Sequence, residues 1–278
     1  MDDTPVPTPR RPFGASGVEL SALGFGVMRL AEKGFDADTA ADFVTRLYDR
    51  GVTTFHVSHE YESHALACAA LRGLRRRRPG ARIEVVAKLA APHFDQTGFD
   101  GRHAEGLIEA LRRDLDVERI DLVQWMVRHT PNTDAPRLAI LARDADRAGA
   151  VWAGLRQAGR IGALGVFPYS DAFAQAALDL PWVDGIVTYL NLEETEAAAY
   201  LDRLWTEGRG FVAIRPLNGG RLAANVRNAI RFPLLHPAVA STLLSVSTQA
   251  QAAEAIDAAR QAVPDREAFQ AALAPQSV

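Results

Sequence analysis

Cysteine is nearly absent from this chain of 278 residues, since Cys68 is the only one. A single cysteine excludes an intramolecular disulfide framework and fits a reducing, cytoplasmic location. Long hydrophobic runs are missing too, because no apolar stretch approaches the roughly 20 residues that cross a bilayer. Positive charge is not in excess either: the formal net charge is −3. These features predict no membrane and no nucleic-acid partner, and favour a small-molecule ligand.

Short apolar runs alternate along the chain with longer amphipathic stretches, which is typical of βα units and a parallel sheet. Eight strands followed by helices predict one (β/α)8 barrel of the TIM type, at residues 13–278, ending in a short helix after Pro264. Residues 1–12 are predicted to be a disordered tail. The predicted strands are Leu20 to Gly26, Val52 to His56, Ile83 to Lys88, Ile120 to Met126, Ile161 to Val166, Gly185 to Thr188, Phe211 to Ile214 and Ser241 to Leu244. Predicted helices include Ala37 to Arg50, Ala104 to Leu115 and Glu194 to Glu207.

Three of the seven histidines lie within residues 56–64, directly after the second predicted strand. Barrels of this type have their active sites at the carboxyl ends of the strands, so the cluster is predicted to lie at the active face. His56 and His59, with one of Glu60, His93 or His129, have the chemistry of metal ligands. Their spacing matches no metal motif, and no metal site is expected.

Residues 13–30, FGASGVELSALGFGVMRL, resemble the opening hairpin and first strand of the aldo-keto reductases. Further segments are similar to later strands and loops of that family, in the family's order: 51–55, 86–88, 120–124, 159–166, 215–222 and 236–241. The resemblance covers roughly residues 13–262 and implies the same barrel. It also implies NADPH-dependent carbonyl reduction by a tetrad of Asp, Tyr, Lys and His.

This chain is a divergent member by that comparison, because only half of the tetrad is matched. Tyr61 corresponds to the tyrosine that protonates the carbonyl oxygen, and Lys88 to the lysine beside it. His56 stands where the family has aspartate, and Met126 where it has histidine. His129 follows three residues later, out of register.

The positions that contact NADPH in the family have also diverged. Phe167 and Pro168 replace the usual Ser-Asn pair, and Val187 the usual glutamine. Ser245 aligns with a glycine and Ala255 with an asparagine, and no Lys or Arg between them is available for a 2′-phosphate. The resemblance therefore predicts that no cofactor binds. If NADPH does bind, its expected contacts are Arg215, Asn218, Gly219, Ser245 and Gln251.

The remaining residues suggest proton-transfer chemistry. Lys88 without its aspartate is expected either to favour the Tyr61 phenolate, which makes Tyr61 a general base as well as an acid, or to have a lowered pKa of its own. His56 supplies a second group with an ordinary pKa near 6.5. We therefore expect a cofactor-independent lyase or isomerase that catalyses elimination, dehydration, isomerisation or cyclisation next to a carbonyl. The expected substrate contacts are His59, His93, Met126, His129, Phe167 and Arg215.

Two alternatives stay open from the sequence. One is an NADPH-dependent aldo-keto reductase in which Tyr61 is the acid and His56 partly replaces the missing tetrad members. The other is a catalytically inert binding homologue, in which Tyr61 and Lys88 persist as a structural pair. The oligomeric state and the substrate are not indicated by the sequence.

Overall fold

Eight parallel strands close into a barrel in this computed structural model, which describes residues 7–274. The predicted (β/α)8 fold is confirmed. The barrel strands are β3 (Leu23–Gly26), β4 (Thr54–Val57), β5 (Glu84–Ala90), β6 (Ile120–Met126), β7 (Ile161–Val166), β8 (Gly185–Tyr189), β9 (Gly210–Ile214) and β10 (Val239–Leu244). They are paired in sequence order, and β10 closes the barrel on β3.

Helices on the outside connect the strands. They are α1 (Ala37–Asp49), α2 (His64–Arg77), α3 (Gly101–Leu115), α4 (Asp134–Gln157), α5 (Asp171–Leu178), α6 (Leu201–Thr206), α7 (Val226–Leu234), α8 (Gln249–Arg260) and α9 (Arg266–Leu273). Side-chain hydrogen bonds determine where two of these helices start. Asp36 and Thr39 form a capping box at α1, and Thr248 and Gln251 form one at α8. No helix among residues 7–274 is long and apolar enough to cross a membrane.

An N-terminal hairpin covers the bottom of the barrel. Its strands β1 (Arg10–Pro12) and β2 (Glu19–Ser21) pair antiparallel. The buried Arg11 donates to the carbonyl oxygens of Leu234, at 2.7 Å, and Ala262, at 2.6 Å. The predicted disordered tail is therefore wrong for residues 10–12, because a buried, hydrogen-bonded guanidinium anchors them. Residues 1–6 of that prediction lie outside the described residues.

The helix predicted over residues 194–207 begins later than expected. A 3₁₀ helix at Glu196–Tyr200 precedes α6. The side chain of Asn191 accepts hydrogen bonds from the backbone N–H groups of Glu193 and Glu194, both at 2.9 Å. This local side-chain turn competes with helix formation and delays the start of the helix.

Candidate active site

A buried ion cluster lies at the carboxyl end of the barrel. Glu60, in the turn after β4, accepts two hydrogen bonds from Arg128, at 2.9 and 2.8 Å. Lys88, on β5, places its Nζ 3.2 Å from Glu60 Oε2. The side chains of all three residues are at most 18% exposed. One carboxylate is thus shared by two cations.

Glu60 supplies the negative charge that the aspartate position lacks. The interpretation of Lys88 as a cation without a carboxylate is therefore wrong. Burial lowers the pKa of Lys88, Glu60 acts to raise it, and Arg128 lowers it. For Glu60, the two cations outweigh the effect of burial and hold the pKa of the carboxyl below its usual value. The sequence did not indicate that Glu60 supplies this charge, because Glu60 lies in the turn before Tyr61 and not at the end of β4.

Tyr61 lies beside this cluster with the Lys88 Nζ 4.9 Å from the centroid of its ring. Burial raises the pKa of Tyr61 well above its usual value, and the charge of Glu60 and the nearby Tyr189 raise it further, against Arg128. The expected phenolate is wrong, because burial and then the charge of Glu60 raise the pKa of Tyr61, whereas the other expectation, a lowered pKa of Lys88, agrees with the burial of that side chain. Tyr61 keeps its proton at neutral pH.

His56 is buried on β4 and forms a hydrogen bond of 2.8 Å between its Nε2 and Gln124 Oε1. Gln124 donates from Nε2 to the carbonyl oxygen of Val187, which can only accept. The amide oxygen therefore faces His56, and Nε2 of the imidazole must hold the proton. Burial lowers the pKa of His56 to about 4, despite the hydrogen bond to Gln124 that raises it. The pKa lies below the ordinary value near 6.5, and His56 is neutral at physiological pH.

An open cleft of about 740 Å³ lies next to the cluster. Its walls come from the ends of β6, β7 and β8 and from the loops that follow them. Aromatic and polar side chains share the lining, which includes Phe94, Phe167, Tyr169, Tyr189 and Tyr200 together with Met126, Arg128, Asn132, Asp171, Thr188 and Glu196. Phe167 packs edge-on against Tyr189, with their ring centroids 5.5 Å apart. Two predicted substrate contacts, Met126 and Phe167, therefore line this cleft together with Arg128.

The fold brings only some of the histidines that were predicted to contact the substrate to the site. His93 places Nε2 3.8 Å from Glu60 Oε1 and is close to the cluster. His59 lies near His64 and His103, and its buried Nδ1 has no hydrogen-bond partner among residues 7–274. His129 also has a buried Nδ1 without a partner in that range, and it is not among the residues that line the cleft. No group of three or more His, Cys, Asp or Glu side chains in the described chain converges as metal ligands would.

A cationic loop follows β9 on the other side of the cleft. The guanidinium of Arg215 lies over the ring of Tyr189, 4.8 Å from its centroid. Arg215 donates to Asn218 Oδ1 at 3.0 Å and pairs with Glu194 at 3.4 Å. Gly219 and Gly220 have φ of 67° and 104°, which a residue with a side chain rarely adopts.

The other positions predicted for a cofactor have structural partners. Ser245 donates to the carbonyl oxygen of Gly26 at 2.7 Å. Gln251 accepts from the backbone of Ser247 and Thr248 in the cap of α8. Val187 is buried inside the barrel. These contacts account for Ser245 and Gln251 without a ligand.

Arg128 and Gln124 were missed by reasoning from the sequence. Arg128 follows β6 by two residues, which is the only signal that places it at the active face. Gln124 was read only as part of a strand motif. Glu60 was considered solely as a metal ligand. The contacts of these residues become visible only when β4, β5 and β6 lie side by side in the barrel.

The sequence model of the Aldo/keto reductase family matches residues 22–230. The chain belongs to the aldo/keto reductase family. No curated protein matches it. Among solved structures, it is similar to the aldo-keto reductase AKR11C1 of Bacillus halodurans in its holo form, with 18% identity over 98% of each chain and a TM-score of 0.76. The Pseudomonas aeruginosa protein PA4992 is 22% identical over 91% of this chain and 94% of its own, with a TM-score of 0.72. At these identities the two structures show the fold.

Family membership supports an enzyme and corrects the expected function. The sequence argument led to a cofactor-independent lyase or isomerase, and that reading is wrong, because the family match favours the carbonyl-reductase alternative. Its physical premise also fails: the site holds a protonated tyrosine and a neutral histidine, and not a phenolate and a titrating imidazole. The expectation that no cofactor binds has no support from the family.

Proposed function

We propose that this aldo/keto reductase reduces the carbonyl group of a small molecule with NADPH. The observation that supports it best is the position of Tyr61 at the barrel mouth, where the Nζ of Lys88, paired with Glu60 at 3.2 Å, lies 4.9 Å from the centroid of its ring. A carbonyl oxygen that becomes negatively charged during reduction needs a proton donor and a nearby cation. Tyr61 is the donor, and Lys88 is the cation.

Each of the neighbouring residues has a different task. Glu60 holds Lys88 and Arg128 in place through the contacts at 3.2, 2.9 and 2.8 Å. His56 donates its Nε2 proton to Gln124, so its Nδ1 is an acceptor. His56 is therefore a positioning residue and not a source of protons. The aromatic side chains of the cleft offer apolar surface to the substrate.

The donor set fits a reduced nicotinamide cofactor, which supplies the hydride when it is bound. Phe167 and Tyr189 offer apolar faces for its ring. Arg215, Arg221 and the loop at Gly219 and Gly220 would hold its phosphates. Glu194 and Glu193 now pair with Arg215 and Arg221, but these arginines are 45% and 74% exposed, and such pairs are weak and exchange readily.

Turnover of 4-nitrobenzaldehyde with NADPH tests the proposal. The wild-type protein is expected to oxidise NADPH, and Tyr61→Phe to lower kcat about 10²- to 10⁴-fold, because the ring loses its only transferable proton. Tyr48→Phe is the matched control, since it removes a phenol on α1, away from the cleft. Equal loss in both variants, or full activity of Tyr61→Phe, would refute the role of Tyr61.

A further inference from the structure

The ion cluster has one positive charge more than it has negative charges. Lys88 and Arg128 share the single carboxylate of Glu60, and the side chains of these two cations are 18% and 12% exposed. Partly buried charges are costly unless they are paired. His56 adds no charge, because burial holds its pKa at about 4. An anion that enters the cleft would complete this charge balance.

Arg128 has the free donors that such an anion requires. Glu60 uses two of the five N–H donors of its guanidinium, and the hydroxyl of Tyr169, whose pKa a hydrogen bond with Arg128 lowers, lies near the same guanidinium. Met126 Sδ, 3.9 Å from Nη2, is a weak acceptor. Arg128 itself lines the cleft, with Phe94 under its guanidinium at 5.2 Å. A planar guanidinium held in place in this way matches the geometry of a carboxylate.

Arg128 and Tyr61 belong to the same cluster of side chains. Three contacts connect them: 4.9 Å from the Tyr61 ring to Lys88, 3.2 Å from Lys88 to Glu60, and 2.8 Å from Glu60 to Arg128. The positive charge of Arg128 lowers the pKa of Tyr61. The acidic residues of the cleft, Asp171 and Glu196, lie at exposed positions where solvent screens them.

Resting on the proposed reductase function, we infer that the substrate is a carbonyl compound that also has a carboxylate. The carboxylate binds Arg128, the carbonyl oxygen binds the Tyr61 hydroxyl, and an apolar body between them packs on Met126 and Phe167. Arg128 is then the residue that determines specificity for an anionic substrate.

Matched aldehydes test this inference. The probes are 4-carboxybenzaldehyde, its neutral methyl ester, and 4-formyl-N,N,N-trimethylanilinium, which is cationic. With NADPH, kcat/KM of the wild-type protein is expected to be at least about tenfold higher for the carboxylate than for the ester, the size of one charge-assisted hydrogen bond, and lowest for the cation.

Arg128 variants show whether this residue is the cause. Arg128→Gln is expected to bring the ratio of carboxylate to ester close to one, and Arg128→Lys, which keeps the charge, to retain part of the preference. Arg82→Gln is the matched control, because it removes an exposed positive charge before β5, at the opposite end of the barrel. A wild-type preference that is absent, or that is unchanged in Arg128→Gln, would overturn the inference.

Binding without cofactor separates this inference from the proposed function. Tryptophan fluorescence measures the binding of 4-carboxybenzyl alcohol to the wild-type and variant proteins. Binding that depends on Arg128, with no reduction of any aldehyde, would support the carboxylate site and refute the reductase. Reduction of all three aldehydes at similar kcat/KM would support the reductase and refute the carboxylate site. Circular dichroism shows whether each variant is folded.

Discussion

The charge of Glu60 acts on three neighbours. It stabilises the cations Lys88 and Arg128, and after burial it is the next cause that raises the pKa of the Tyr61 hydroxyl. A tyrosine whose only charged neighbours were cations would lose its proton more readily. Burial and this carboxylate together favour the protonated form of Tyr61, which the proposed carbonyl reduction requires.

Glu60→Gln is expected to move the alkaline limb of the kcat/KM profile to lower pH. The substitution removes a negative charge that raises the pKa of both Tyr61 and Lys88, so both groups lose their protons at lower pH than in the wild-type protein. A pH–rate profile measures the shift. Glu118→Gln, an exposed carboxylate at the amino-terminal end of β6, serves as control and should leave the limb in place. A shift to higher pH would contradict this account of Tyr61.

His56 links the site to the stability of the fold. Its pKa is about 4 in the folded state and near 6.5 when unfolded, so between these values only the unfolded chain binds the proton. The free energy of unfolding should therefore fall as pH drops from 6.5 towards 4, by about 3 kcal/mol for this group. His56→Gln keeps a donor towards Gln124 and cannot take up a proton.

Urea unfolding of wild-type and His56→Gln proteins across this pH range measures that contribution. The difference between the two proteins in the free energy of unfolding should change with pH. His236 also has a lowered pKa, but both proteins contain it, so its contribution cancels in the difference. Curves that stay parallel from pH 7 to pH 4 would show that His56 is not a buried neutral group.

At the residue scale, the sequence predicted only part of the site. Tyr61 and Lys88 followed from the resemblance to the tetrad of the aldo-keto reductases. Glu60 and Arg128 did not, because their pairing joins the turn after β4 to the loop after β6, 68 residues apart. The pKa directions of His56 and Tyr61 depend on burial and on these partners, which spacing cannot give.

At the scale of elements, the N-terminal hairpin shows how a polar residue fixes a strand. Arg11 lies in a segment whose prolines and charges are typical of a disordered tail. Its guanidinium instead binds carbonyl oxygens at the end of α7 and just beyond α8. Such carbonyl groups at helix ends need partners when they are buried. Composition alone could not show that a distant arginine supplies them.

Arg11→Met is expected to lower the free energy of unfolding by about 2 to 4 kcal/mol, because it leaves buried carbonyl groups without donors. Urea unfolding measures the loss. Arg82→Met, at an exposed position, is the matched control and should change stability by at most about 0.5 kcal/mol. Similar small effects for both substitutions would mean that the hairpin is not anchored by Arg11.

At the scale of the whole molecule, the fold was predictable and the chemistry was not. The alternation of apolar runs and helices gave all eight barrel strands, and β6 and β7 were predicted at their observed bounds. The function was misread because the missing aspartate and histidine were taken as a loss of reductase chemistry. In the proposed function, Glu60 takes the place of the missing aspartate beside Lys88, from a turn that no motif of the sequence connects with that lysine.

Transfer of deuterium from NADPH labelled at C4 of the nicotinamide tests the central claim most directly. The protein is incubated with the labelled cofactor and 4-carboxybenzaldehyde or 4-nitrobenzaldehyde, and the products are analysed by mass spectrometry. The account predicts benzylic alcohols with one deuterium on the former carbonyl carbon. The absence of labelled alcohol with both aldehydes, under conditions in which the protein is folded and binds NADPH, would contradict it.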